Sequence, residues 1–325
     1  MNKKLLIAAI EHAKTQINEG KVPIHKDIVA VYIPELAKAD PLHIGVSAMT
    51  VEGKWYNAGD WEEMFTMQSI SKLIALILAL KIVGEQGKDE FFRDVAGMEP
   101  SGDAFNSIMK LESKSIVPSN PMINAGAISV AGFCVEKGND PHALFLDLAR
   151  KLCGRSTIGM DDVVYLSEKK TGFRNRAMAY LMQSDGVLKC GAEEAADLYF
   201  KMCSTLVYTG DLAHFAMILA NNGRDLNNNV LIESWIVKIV KTIMLTCGMY
   251  DDSGEFAIRV GLPAKSGVGG GIIACAENYM GIATFGPMLN PKGNSAGGIL
   301  IMEQLSQKLG LHIFSGNTHY INNRL

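Results

Sequence analysis

Ser69 and Lys72 stand where a loop runs into an apolar helix. Gln68-Ser69-Ile70-Ser71-Lys72 is followed by Leu73-Ile74-Ala75-Leu76-Ile77-Leu78-Ala79-Leu80. A spacing of three places both side chains on one helical face. An amine then lies beside a hydroxyl, the pair that an acylating serine needs when no histidine serves as base. The helix N-terminus carries partial positive charge, so the backbone N–H of Ser69 is placed to hold an oxyanion. The apolar run directly after Lys72 predicts that its amine is partly buried. Taken alone, Ser-x-x-Lys is more often a capped helix start with a solvated lysine.

A second chemical stretch is Lys265-Ser266-Gly267-Val268-Gly269-Gly270-Gly271. A lysine, a small hydroxyl residue and a glycine opening a strand is what penicillin-recognising serine acylases use opposite Ser-x-x-Lys. Small residues let a substrate approach the backbone closely, and the N–H of Val268 can face that of Ser69 as a second oxyanion donor. A phosphate cradle is excluded, because the lysine precedes the glycines. The seven histidines form neither a His-x-x-x-His nor a His-Glu-x-x-His metal pattern.

These stretches must be positioned by a sizeable core. Of 325 residues, 48% are hydrophobic and 20% charged, which argues against disorder. A net charge of −3 and a pI near 6.2 argue against a nucleic-acid or anionic-membrane surface. The six scattered cysteines read as buried free thiols in a reducing cytoplasm. Met1 to Ile10 mimics a signal peptide, but Glu11-His12 interrupts it and an amphipathic helix through about Asn18 is expected.

Strands are expected at 43–51, 54–58, 256–260, 268–274 and 279–285, with a closing helix at 295–309. Between them helices are expected near 70–85, 124–137, 141–152, 160–168, 173–183, 191–205, 210–222 and 231–246. This order predicts an α+β fold: an antiparallel sheet built from both chain ends, flanked by helices, with an inserted all-helical lobe. Residues 1–68 with 251–325 would form a mixed α/β subdomain and residues 69–250 a mainly helical one, together one catalytic unit.

Four further stretches accompany the two lysine motifs: Glu99-Pro100-Ser101-Gly102-Asp103-Ala104-Phe105-Asn106, Asn120-Pro121-Met122-Ile123-Asn124-Ala125-Gly126-Ala127-Ile128, Ser167-Glu168-Lys169-Lys170-Thr171-Gly172-Phe173-Arg174-Asn175-Arg176, and Val260-Gly261-Leu262-Pro263-Ala264-Lys265-Ser266-Gly267-Val268. This set resembles the serine-dependent glutaminases, from about Tyr32 to Asn294. The resemblance implies a β-lactamase- and transpeptidase-like catalytic domain, hydrolysis of L-glutamine to L-glutamate and ammonia, no metal or organic cofactor, and a homo-oligomer, dimer or tetramer, in the cytoplasm. It implies Ser69 as nucleophile with Lys72 as its helical partner. It also implies substrate contacts by Tyr32, Ser69, Asn124, Glu168, Asn175, Tyr199, Tyr250 and Val268.

Free glutamine carries an ammonium and a carboxylate, so Glu168 is the natural partner of the ammonium. Asn124, Asn175, Tyr32 and Tyr199 share the remaining polar groups, in an order the sequence leaves open. Either Lys72 or Tyr250 takes the Ser69 proton. Burial and the supporting cation Lys265 would both lower the Lys72 pKa. The alternative uses are ordinary ones: Glu168 paired with Lys169 or Lys170, Asn124 as an N-cap, Tyr199 and Tyr250 as half-buried aromatics. At the level of the whole chain, the alternatives are a penicillin-interactive acylase or esterase and a catalytically silent glutamine-binding protein. The absence of a well-placed Ser-Asp-Asn motif weakens the first, since Ser184-Asp185-Gly186 lies in the wrong place.

Overall fold

The structure is a computed structural model and describes residues 1–102, 106–107 and 117–315. Residues 103–105 of the stretch at 99–106, and the chain beyond 315, lie outside the described residues. Five strands form one antiparallel sheet: β1 (Gly45–Thr50), β2 (Trp55–Gly59), β5 (Ala264–Ser266), β6 (Gly271–Ala276) and β7 (Met280–Phe285), in the order β2-β1-β7-β6-β5. The register Ala48↔Ile282 joins the two ends of the chain at the centre of the sheet. The sheet made from both ends is thus as expected, and β3 (Phe65–Thr66) pairs separately with β4 (Leu206–Val207).

Alternation along the strands sorts two cores. Val46, Ala48, Ile272, Ala274 and Ile282 face helices α1 (Lys3–Asn18) and α11 (Ala296–Leu309). Met49, Ile273, Cys275, Ala283 and Phe285 face the helical side, including α8 (Thr209–Ala220). Helix α1 forms because Leu6, Ala9, Ile10 and Ala13 recur at helical spacing and Asn2 caps Leu5 N. Helix α8 lies directly on the sheet: a Cβ at Gly281 would stand 2.1 Å from Met217 N.

The helical side contains α2 (Ser71–Asp94), α3 (Asn124–Lys137), α4 (Pro141–Cys153), α5 (Asp162–Thr171), α6 (Phe173–Ser184), α7 (Ala192–Cys203) and α9 (Ser234–Cys247). Helix α2 runs past the expected end near residue 85, but breaks at Gly84, whose φ of 72° is not helical. Two strand expectations are corrected. Residues 256–260 belong to helix α10 (Ser253–Arg259) and its cap, with Phe256 and Val260 buried one turn apart and Ile258 79% exposed. Strand β6 begins at Gly271, because Gly267 to Gly270 close a turn, Gly270 N donating to Gly267 O and Gly267 N to Gly271 O. Among the described residues, no helix is long and apolar enough to cross a membrane.

Candidate active site

Pairing of β3 with β4 fixes the chain just before Ser69, and Met67 N donates to Thr205 O. Gln68 then adopts φ +47°, a left-handed conformation that costs on the order of 1–2 kcal/mol for a residue with a side chain. One 3-10 turn, Gln68–Ile70, carries Ser69 and runs into α2, and the Ser71 hydroxyl closes it by donating to Gln68 O. Lys72 follows in the first turn of α2, 2% exposed.

Opposite this turn lies the end of β5. A Cβ at Gly267 would fall 2.6 Å from Met67 O, and one at Gly269 would fall 2.9 Å from Thr66 O. Glycine is what allows the two segments to approach so closely. Val268 is thereby brought beside Tyr250. The Tyr250 hydroxyl shares a hydrogen bond with the Ser69 side chain and accepts one from the Val268 N–H, and it donates to Ser266 O at 3.3 Å. Burial pushes its pKa up in spite of the bonds from Ser69 and Val268.

Lys72 Nζ donates to Met122 O at 2.9 Å and to Asn124 Oδ1 at 2.8 Å. The Asn120 side chain sets up both acceptors. Its Oδ1 accepts from Met122 N and Ile123 N, closing the turn that opens α3. Asn124 is not an N-cap: its Oδ1 also accepts from the Tyr199 hydroxyl at 3.2 Å, and its Nδ2 donates to Asn175 Oδ1 at 3.0 Å. Burial lowers the Lys72 pKa to about 8, against the opposing pull of Cys203 and Glu168. Lys265 is fully buried, donates to Gly248 O and Ser266 O, and lies 4.3 Å from the Tyr250 ring centroid. The repulsion between the two amines falls on Lys265. Burial first, and then Lys72, push its pKa well below the usual lysine value.

Glu168, on α5, is 4% exposed and is not paired with its neighbouring lysines; Lys169 instead bonds Asp197 at 2.5 Å. Burial raises the Glu168 pKa to about 8, and Lys72 and a hydrogen bond from Gln68 pull against that rise. Its Oε2 is buried without a partner. Such an oxygen is suited to receive a cation. Tyr32 sits at the rim, 55% exposed overall. Its hydroxyl end is nonetheless desolvated and within electrostatic reach of Tyr250 and Glu168, which together hold its pKa high.

Ser69, Lys72, Asn124, Glu168, Tyr199, Tyr250, Lys265 and Val268 are therefore brought together. Asn175 joins through Asn124, and Tyr32 borders the group. Sequence reasoning missed Gln68, which bridges Thr66 Oγ1 and Glu168, and Cys203, beside Ser71 and Tyr199. It also missed the Met122 carbonyl, since a backbone acceptor leaves no side-chain signature; Gln68 stood in the quoted motif, but only its fold reveals the strain.

The antiparallel sheet, with a serine–lysine pair opening one helix and a lysine-bearing strand facing it, is a β-lactamase-like fold. A family model for glutaminase matches residues 28–314. The chain is 48% identical over 314 residues to a glutaminase of Clostridium botulinum (strain Loch Maree / Type A3), covering 96% of this chain and 99% of that protein. It is 47% identical over 317 residues to glutaminase 2 of Clostridium perfringens (strain 13 / Type A), covering 96% and 100%. Among solved structures, probable glutaminase YbaS superposes with a TM-score of 0.86 at 36% identity, over 97% of this chain and 100% of that one. The probable glutaminase from Bacillus subtilis complexed with 6-diazo-5-oxo-L-norleucine gives 0.80 at 31% identity, over 96% and 95%. The chain belongs to the glutaminase family.

Proposed function

We propose that the protein hydrolyses L-glutamine to L-glutamate and ammonia through a Ser69 acyl-enzyme. The observation that carries the mechanism is the seating of Lys72. A neutral amine has two N–H donors and one lone pair, and Lys72 has two acceptors, Met122 O and Asn124 Oδ1. The lone pair is left for the Ser69 proton. A pKa of about 8 makes that neutral form accessible. Tyr250 is poorly suited as the primary base, because burial disfavours its phenolate; it serves as a relay between Ser69 and the amine.

In the first step the Ser69 Oγ–H proton passes to Lys72 and Oγ bonds to the side-chain carboxamide carbon. The Ser69 and Val268 N–H groups hold the oxyanion. The carbon–nitrogen bond then breaks, the leaving nitrogen takes the proton from Lys72, and ammonia departs. In the second step a water molecule gives its proton to Lys72 and its oxygen to the ester carbon. Glutamate is released and Ser69 recovers its proton. Glu168 receives the substrate ammonium through its unpartnered oxygen, while Asn124, Asn175, Tyr32 and Tyr199 take the remaining polar groups. Lys265 supports the site from beneath Tyr250. Neither a metal nor an organic cofactor enters these steps.

The reading extends to a cytoplasmic homo-oligomer, dimer or tetramer, with residues 1–68 and 251–325 as one subdomain and 69–250 as the other. Family resemblance supports this extension, and light scattering tests the oligomer. The enzymatic proposal is tested by coupled ammonia release from glutamine and asparagine. Wild type should release ammonia from glutamine, and Ser69→Ala should lose the activity by about 10,000-fold or more. Equal rates in the two proteins would remove the serine from the reaction.

A further inference from the structure

Tyr250 stands in an unusual backbone setting. Its φ is +52°, it opens a single 3-10 turn (Tyr250–Asp252), and the short helix α10 follows at once. Tyrosine does not itself favour left-handed backbone, so its surroundings must hold the conformation. Part of those surroundings is a loop far away in sequence. Asn294, whose side chain is completely buried, has two amide hydrogens. One goes to Met249 O at 3.2 Å and the other to Asp252 Oδ2 at 2.7 Å. A single amide thus grips the backbone on one side of Tyr250 and a carboxylate on the other.

The grip is reinforced. Asn290 Nδ2 donates to the same Asp252 oxygen at 2.7 Å, and Lys292 Nζ lies 2.7 Å from Asp252 Oδ1. The loop holds its own shape, because Asn290 Oδ1 accepts from Lys292 N and Asn294 N. Ser253 completes the frame, donating to Tyr250 O and accepting from Met249 N.

We propose that Asn294 and Asp252 are positioning residues, which hold Tyr250 in its left-handed conformation so that its hydroxyl meets both Ser69 and the Val268 N–H. The inference rests on the reading of Tyr250 as a proton relay. The clamp acts mainly on turnover, since the proposed mechanism assigns the ammonium to Glu168 and the remaining polar groups to Asn124, Asn175, Tyr32 and Tyr199. Any loss of a Tyr250 contact with substrate is therefore small beside the loss of the relay.

The test is a double-mutant cycle on the full-length enzyme with glutamine as substrate. Asn294→Ala and Asp252→Ala should each lower kcat by about 10- to 100-fold, with KM within about 3-fold of wild type. Asp252→Asn, which keeps an acceptor oxygen for both amides, should retain more activity than Asp252→Ala. Tyr250→Phe should itself lower kcat strongly, and adding Asn294→Ala to it should cost less than about 3-fold more. Loss of equal size with and without the tyrosine hydroxyl overturns the proposal, as does a kcat within about 2-fold of wild type in folded Asn294→Ala and Asp252→Ala proteins. A neutral Tyr250→Phe overturns it too, and identifies the failure as that of the relay. Should the alanine variants not fold, Asn294→Ser and Asn290→Ala, each of which removes an amide donor to Asp252, carry the same comparison, and an unchanged kcat in both again overturns it.

Discussion

Lys72 and Asn124 meet at 2.8 Å in the floor of the site, the amine of one helix start donating to the amide oxygen of another. That oxygen also receives the Tyr199 hydroxyl, while the amide nitrogen reaches Asn175. One asparagine therefore aligns the proposed base and ties it to two residues expected to bind substrate. Replacement of the amine by an apolar chain of similar length separates its chemistry from its packing. Lys72→Met should lower kcat for glutamine by about 1,000-fold, the range for loss of a general base. Steady-state ammonia release measures it.

Activity should rise steeply with pH through about 8. In the proposed mechanism Lys72 is neutral and Glu168 ionised, and both lose their protons near that value. Below it, log kcat/KM should climb with a slope approaching about 2 per pH unit, because two protons must leave. In Glu168→Gln one of those protons is gone, and the slope should fall to about 1. The same variant should raise KM far more for glutamine than for an analogue lacking the α-amino group. Equal effects on both would refute the ammonium assignment.

Stability carries the opposite sign for these two groups. The folded pKa of Glu168 is raised, so between about 4.5 and 8 the folded state binds more protons and stability falls as pH rises. The folded pKa of Lys72 is depressed, so stability rises with pH between about 8 and 10.5. Glu168→Gln should accordingly stabilise the protein near pH 8.5 and have little effect at pH 4. Thermal melts at the two pH values measure the difference.

A proline at Val268 removes the N–H that Tyr250 now accepts and that the oxyanion is proposed to use. Val268→Pro should cost about 100- to 1,000-fold in kcat, whereas Val268→Ala, which keeps the N–H, should cost little. Comparable losses in both would place the effect in the side chain.

Gly281 answers to packing alone. A methyl group there would meet Met217 N at 2.1 Å and Ala213 O at 2.4 Å, both backbone atoms of α8. Gly281→Ala should destabilise by about 3 kcal/mol or more, read as a shifted denaturant midpoint with an unchanged slope.

Much of this arrangement was legible in the residues, and the failures have physical causes. Ser69 and Lys72 announced themselves because helical spacing and a following apolar run act over a few positions. The sheet from both ends was legible because β1, β6 and β7 are short apolar runs bounded by turns. The 256–260 segment misled because Phe256, Ile258 and Val260 alternate like a strand. Only the fold shows that Phe256 and Val260 are the buried pair, with Ile258 in solvent. Gln68 and Tyr250 adopt positive φ beside distant segments, β4 in one case and the 290–294 loop in the other. No local pattern reports such neighbours. The Glu168 carboxylate was recognised through its motif, but its isolation from Lys169 depends on Asp197, two helices further on in α7.

The central pairing of β1 with β7 also sets a timetable for biosynthesis. Ser69 leaves the ribosome long before Val268, and at roughly 5–20 residues per second the interval is on the order of 10–40 seconds. Throughout it, the nascent polypeptide carries Ser69 and Lys72 with no strand to complete the proposed oxyanion pocket. The proposed site is thus incomplete until the strand carrying Lys265 has been translated. During the same interval one hydrogen-bonding edge of β1 has no neighbour, which makes this strand the place where a cellular chaperone has most reason to bind.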